Sequence, residues 1–292
     1  FNIGPRINAA GRMDDAKNAV RLLIAESEQT ASEFADELQK HNSERKLVDQ
    51  KITADFQEIV AKHPQLLERK THVFFKEDWH KGVVGIAASR AIELYHRPTI
   101  ILTKSGEGML AGSARSVKGF DVHAALEKCS EFLEQFGGHM YAAGMLLKEE
   151  NLDDFRQAFE EVGEGMLTEE MLTPKVFYDE EIDVNAVDYK LLGILQRMKP
   201  FGPSNMTPVF YAKGLKDNGT GKIIGKTEEH IRLNLKRETD DLPAVGFGLA
   251  SKLDDIKKAD SFEACFQVNE NFFRGNRSIQ LMLQDVRTTN GV

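Results

Sequence analysis

A chain of 292 residues, 41% hydrophobic and 29% charged, can bury a sizeable core and hold two domains with a helical connector. Its net charge of −8 sits badly with a polyanionic partner until it is mapped: residues 149 to 183 hold thirteen acidic side chains against Arg156 and Lys175, so the remainder is mildly basic. No run approaches the roughly 18 apolar residues of a membrane span and no basic-then-apolar leader opens the chain, so a cytoplasmic protein without membrane contact is expected.

The chain starts at Phe1, without an initiator methionine and directly inside the stretch Gly4-Pro5-Arg6-Ile7-Asn8-Ala9-Ala10-Gly11-Arg12, and so reads as a portion of a longer protein. Gly4, Pro5 and Gly11 are expected to hold this stretch as a turn outside regular helix, carrying Arg6 and Arg12. Each guanidinium can donate two parallel hydrogen bonds to a phosphate. Pairing of one arginine with Asp14 or Asp15 is the alternative.

Residues 14 to 62 are helical by pattern, with Ala16, Val20, Leu23 and Ile24 in one stripe and Phe34, Leu38, Val48, Ile52, Phe56 and Ile59 in another. Pro64 is expected to end the second helix. From His72 the texture changes to short apolar runs at 73–75, 99–102, 109–111 and 145–147, read as strands. Helical segments at 83–95, 121–135 and 151–172 alternate with them, which gives an α/β domain. The two cysteines, Cys129 and Cys265, lack the paired spacing of a zinc site or disulfide framework and read as core thiols.

Three stretches in this domain bear on anion binding. Trp79 to Arg90 leads from a strand into a helix, and its glycines place unpaired N–H groups and the positive end of a helix dipole beside His80. Alternatively, Gly85 permits close helix-to-sheet packing and His80 caps a loop. In Gly112-Ser113-Ala114-Arg115-Ser116, strand alternation sends Ser113 and Arg115 to one face, where they can grip a single phosphate; an ordinary surface strand is the other reading. Gly137-Gly138-His139 is expected after a helix, with the glycines as its stop and His139 able to donate to a phosphate oxygen or act as an acid.

The acidic segment at 149–183 reads as a solvated helix face. Beyond Pro174 the period becomes two, clearest in His230 to Lys236 and Ser278 to Gln284. With 209–215, 244–249 and 262–268 these make about five strands, which suits a small barrel of the OB type and equally a sandwich. Arg232, Lys236, Arg237, Arg274 and Arg277 are candidate phosphate contacts. Phe247, Phe272 and Phe273 can stack bases or fill the core.

In their order, the Gly-Pro-Arg-Ile-Asn-Ala-Ala-Gly-Arg stretch, the His80 to Arg90 stretch, Gly-Ser-Ala-Arg-Ser, Gly-Gly-His and Pro200-Phe201-Gly202 with Asn205 and Pro208 resemble RecJ-type single-stranded-DNA exonucleases of the DHH phosphoesterase superfamily. The resemblance implies a helical connector (1–70), an α/β DHH-associated domain (71–175) and an all-β OB-type barrel domain (176–292). It also implies that Ser113 and Arg115, assisted by an arginine of the opening motif, hold a 5′ end or nearby phosphate, with Gly137 and Gly138 at the site and His139 facing the scissile phosphate. The Asp-His-His motif of that family occurs nowhere in the chain. The Mn²⁺ or Mg²⁺ of a 5′ to 3′ exonuclease would accordingly be bound by an N-terminal domain not in this sequence, with no metal expected here and no activity from this portion alone. Implied partners are single-stranded DNA and, among proteins, a single-strand-binding protein or a helicase. Competing readings are a phosphodiesterase on short oligonucleotides or cyclic dinucleotides, and a non-catalytic strand-binding module.

Overall fold

A computed structural model describes residues 3–273 and 275–289, apart from the side chains of Phe273 and Thr289. The chain divides into two units, Phe1–Pro174 and Lys175–Val292.

The first unit opens with helix α1 (Ile3–Met13), which corrects the expected turn. Pro5 lies in the first helical turn, where its missing N–H forfeits no intrahelical bond. Ala9 and Ala10 are fully buried, and small side chains there let α1 pack closely. Helix α2 (Lys17–Leu23) and the 35-residue α3 (Glu28–Lys62) follow. Ser27 starts α3 by accepting a hydrogen bond from the Thr30 amide at 3.2 Å, and His63 ends it ahead of Pro64.

Next come β1 (His72–Phe75), α4 (Val84–Tyr95), β2 (Thr99–Lys104), β3 (Met109–Arg115), α5 (Val122–Lys128), β4 (Gln135–His139), β5 (Ala142–Lys148), α6 (Leu152–Met166) and the short α7 (Glu169–Leu172). The sheet order is β1-β2-β3-β5-β4, with β1 and β2 parallel and the other pairs antiparallel. Helices cover both faces. Phe56, Trp79, Val84, Ala87 and Ala88 pack with Phe74 and Ile101 on one side, while Leu126, Phe155 and Phe159 pack with Ile100, Leu102 and Leu110 on the other.

Helix α5 stops at Lys128, short of the expected 135, because Ser130–Phe132 tighten into a 3-10 turn and Leu133 becomes extended. Gly137 and Gly138 therefore stand in a strand paired with β5, which corrects their reading as a helix stop. In α6 the acidic residues Asp153, Asp154, Glu161 and Glu164 face solvent, as amphipathic patterning expects. Glu160 departs from it: buried to 8% exposure, its carboxylate accepts from the amides of Lys70 and Thr71 and from the Thr71 hydroxyl, at 2.8, 2.9 and 2.5 Å. A charge so placed is tolerated because three donors replace its water.

The second unit contains β6 (Glu180–Glu181), α8 (Tyr189–Arg197), β7 (Phe210–Leu215), β8 (Lys222–Ile224), β9 (His230–Lys236), β10 (Asp241–Gly246), α9 (Leu253–Lys258), β11 (Ser261–Phe273) and β12 (Asn276–Thr289). The ladder runs β6-β7-β11-β12-β10-β9-β8, with β10 and β12 parallel. The chain just beyond β7 then bonds to β9: Lys236 N–H donates to the Lys216 carbonyl and Asn218 N–H to that of Asn234, each at 2.8 Å. Those bonds close β7, β11, β12, β10 and β9 into a ring, with α9 between its third and fourth strands in chain order. This is an OB-type barrel, built from the five strands expected from the period-two pattern. Phe210, Leu233, Leu235, Phe262, Phe266 and Leu281 fill it.

Candidate phosphate-binding site

The first unit brings three separate stretches of sequence to one place. Ser113 and Arg115 project from the same face of β3, and Arg115 Nη1 donates to Ser113 Oγ at 2.8 Å and to the Ala114 carbonyl at 2.8 Å. The start of α4 lies against them: an ideal Cβ on Gly85 would stand 2.8 Å from Arg115 Nη2 and 3.0 Å from Ser113 Oγ. The packing role weighed for Gly85 is therefore real, and the groups it packs against are the candidate anion ligands themselves.

Arg12, at the end of α1, reaches the same loop, its Nη1 donating to the Gly82 carbonyl at 3.2 Å. Gly82 has no room for any side chain, since a Cβ would sit 2.0 Å from the Arg12 carbonyl oxygen. Burial pushes the Arg115 guanidinium below its ordinary value, and the positive charge of Arg12 pushes it further in the same direction. Among the described residues neither arginine forms an ion pair. Two like charges held near each other without a counter-charge make a site in which an anion is favoured.

His80 caps this loop, its Nδ1 accepting from the Gly82 amide at 3.1 Å. Val83, at the N-cap of α4, supplies no side-chain acceptor; the His80 carbonyl takes the Val84 amide at 3.2 Å, and no acidic side chain in the first turn offsets the helix's positive end. Arg6 is not drawn in by the same contacts; its Nε donates to Gln39 Oε1 of α3 at 2.7 Å. Neither arginine pairs with Asp14 or Asp15, because Asp15 engages Lys17 at 3.2 Å and Asp14 lies by His41 at 3.9 Å.

Strand register extends the site across the sheet. Arg115 pairs with Ala142 and Ala142 with His139, while Ser113 pairs with Gly144 and Gly144 with Gly137. Directly paired residues share a face, so His139 stands on the Arg115 side, two strands or about 10 Å away. Between them the floor is Ala142, Gly144 and Gly137. A Cβ on Gly137 would meet nothing within 4 Å, so packing does not require that glycine, whereas one on Gly138 would lie 2.3 Å from the Ala142 carbonyl oxygen. His139 is exposed, its Nδ1 accepting from the Tyr141 amide at 3.3 Å.

In the second unit, Arg232 and Lys236 are exposed on the outer face of β9, with Lys222 of β8 directly opposite Arg232. Phe247 and Phe272 are 59% and 68% exposed, which sets them outside the core. Arg277 lies 3.5 Å from Glu270, so its charge is partly matched. Arg237 is a structural residue, donating to the Val187 carbonyl at 2.6 Å and pairing with Asp240 at 2.5 Å. Arg274 and the Phe273 side chain lie outside the described residues.

Sequence reading missed one group. Asp14, Glu37 and His41 meet where the end of α1 faces α3, the single His-carboxylate trio close enough to share an ion among the described residues. The Glu37-x-x-x-His41 spacing was a visible signal, since residues four apart share a helix face. Three donors are too few for a two-cation hydrolytic centre, so no hydrolytic step is assigned to them.

Residues 68–164 match the DHHA1 domain, and residues 178–285 match the RecJ OB domain. The chain is 32% identical over 286 residues to the single-stranded-DNA-specific exonuclease RecJ of Bacillus subtilis, covering 98% of this chain and 36% of that protein. It is 31% identical to the protein of the same name from Haemophilus influenzae, covering 97% and 50%. Among solved structures, RecJ of Thermus thermophilus in complex with Mn²⁺ superposes with a TM-score of 0.82 at 24% identity, across 100% of this chain and 41% of that one. The chain thus spans a third to a half of the length of these relatives.

Proposed function

The chain belongs to the RecJ family, and from that premise we propose that it is the strand-holding portion of a single-stranded-DNA exonuclease acting 5′ to 3′ in DNA repair and recombination. The observation that carries the reading is the convergence of Arg12, Ser113 and Arg115 beside the start of α4, two cationic side chains with no ion-pair partner among the described residues. A terminal or near-terminal phosphate bound there receives donors from Arg115, Ser113 and Arg12.

The glycine floor at 144 and 137 then leaves space for the next sugar-phosphate unit to cross toward His139. A span of about 10 Å, from two strand spacings, is of the length that one to two nucleotides cover. In this reading His139 faces the scissile phosphate, where an exposed imidazole can donate a proton to a phosphate oxygen. On the barrel, taken by itself, Arg232, Lys236 and Lys222 would face the backbone of a bound strand, and Phe247 and Phe272 would stack its bases.

Hydrolysis of the phosphodiester bond needs cations to neutralise the attacking and leaving oxygens. The Thermus relatives were solved with Mg²⁺ and Mn²⁺, and we assign the corresponding cations to residues beyond this chain, so that the chain alone binds DNA and does not cut it. A single-strand-binding protein or a helicase is the class of protein partner that would deliver such a strand.

Affinity for an oligonucleotide with a 5′-phosphate, measured against the same oligonucleotide with a 5′-hydroxyl, tests the proposal. A phosphate preference that Arg115→Ala abolishes supports it. Equal binding of both ends, or metal-dependent degradation by this chain that survives His139→Ala, overturns it.

A further inference from the structure

We propose that Asp14, Glu37 and His41 form a single-ion site for a divalent transition-metal cation that fastens the end of α1 to α3. His41 Nε2 lies 3.9 Å from Asp14 Oδ2 and 3.8 Å from Glu37 Oε1. Those separations are too long for hydrogen bonds. They are near the roughly 3.4 Å between two ligands that each bond one tetrahedral ion at about 2.1 Å, and the three ligand atoms all lie within 4.8 Å of one another, so rotation of the two carboxylate side chains would close the geometry.

The surroundings of the ring carry the argument past the mere presence of carboxylates. Both ring nitrogens are buried and, among the described residues, neither has a hydrogen-bond partner, while the side chain as a whole is 14% exposed. On the far side of the ring, Nδ1 lies 3.7 Å from Glu44 Oε2. Metal-bound histidines typically ligate through one nitrogen and give the other N–H to a carboxylate, which fixes the tautomer. Glu37, His41 and Glu44 follow one another along one side of α3 at spacings of four and three, so the helix itself sets ligand, ligand and orienting group.

One imidazole and two carboxylates suit Zn²⁺ or Mn²⁺ better than the all-oxygen cations. The consequence is positional: Asp14 lies two residues beyond Arg12, so an ion joining it to α3 anchors the end of the helix that carries Arg12. The site is independent of hydrolysis, and of whether the chain binds DNA.

The test is titration of the metal-free chain with Zn²⁺ and, separately, with Mn²⁺, followed by calorimetry and by the electron paramagnetic resonance of free Mn²⁺. The expected result is one ion per chain, a melting temperature raised by metal and returned by EDTA, and affinity lowered at least tenfold by Asp14→Asn, Glu37→Gln or His41→Gln. Glu44→Gln should cost about 10- to 100-fold, the usual loss for an orienting partner. His139→Ala should leave the binding unchanged. Should His41→Gln not fold, the exposed Asp14 and part-exposed Glu37 variants carry the test. No uptake of either ion at millimolar concentration, or uptake that none of the four substitutions weakens, overturns the proposal.

Discussion

Arg115 Nη1 donates to Ser113 Oγ at 2.8 Å directly against Gly85, whose missing side chain is what lets α4 come so near. Gly85→Ala therefore separates folding from binding. Within a helix, alanine is favoured over glycine by about 0.5–1 kcal/mol. The new methyl would meet the far end of the long Arg115 side chain at 2.8 Å and Ser113 Oγ at 3.0 Å, both of which can yield by side-chain rotation without moving backbone. The melting temperature should hold or rise, while affinity for a 5′-phosphorylated oligonucleotide falls about tenfold, or about 1.4 kcal/mol. Fluorescence anisotropy alongside a thermal melt checks both halves.

Gly82, Gly138 and Gly137 should respond differently to the same change. Alanine at Gly82 would place Cβ 2.0 Å from the Arg12 carbonyl oxygen, and at Gly138 2.3 Å from that of Ala142, in both cases against backbone that cannot rotate away. Each should destabilise the chain by about 1–3 kcal/mol, as overpacking does. Gly137→Ala meets open space and should leave the urea midpoint within error. If Gly137→Ala nonetheless weakens DNA binding, its bare surface serves a ligand; unchanged binding would remove the glycine floor from the site.

The local elements were largely legible because their patterns are local. Period two along β9 and β12, the stripe of Ile52, Phe56 and Ile59 in α3 and the Ser113–Arg115 alternation all depend on neighbours a few residues apart. Errors arose where tertiary packing overrode composition. Two glycines and a proline argued for a turn at 4–12, but burial of Ala9 and Ala10 and the tolerance of an early helical turn for Pro5 make it a helix. At 138 the glycine serves cross-strand closeness to β5, and 137 shares that strand, which no spacing along the chain reveals. The approach of Arg12 to Gly82 spans 70 residues, and that of Asp14 to His41 joins two helices; both follow from folding alone.

Stability should decline on mild acidification, through His72. The ring is 2% exposed, its Nε2 lies 3.0 Å from the Leu66 carbonyl oxygen, and burial holds its pKa below the ordinary 6.5. Burial lowers His96 as well. Below about pH 6.5 the unfolded chain thus binds more protons than the folded one. The stabilisation from keeping these rings neutral is complete above that pH and lost as pH falls through their folded-state values. Urea midpoints between pH 7.5 and pH 5 should fall, and the slope should be shallower in His72→Gln. An identical slope in the variant would assign the acid sensitivity elsewhere.

The barrel face offers a test that needs no chemistry. Arg232 and Lys236 alternate outward along β9 with buried Leu233 and Leu235 between, so their removal disturbs the surface and not the core. If each neutralises one phosphate of a single strand, Arg232→Ala and Lys236→Ala should each lower the slope of log affinity against log salt by about 0.7. Phe247, 59% exposed and edge-on to His230 at 4.9 Å, should behave otherwise. Phe247→Ala should cost about 1–3 kcal/mol of binding, the worth of a stacked base, and leave the salt slope alone, because stacking displaces no counter-ions. Equal effects of all three substitutions on slope and affinity would mean that the strand does not cross this face in an ordered way.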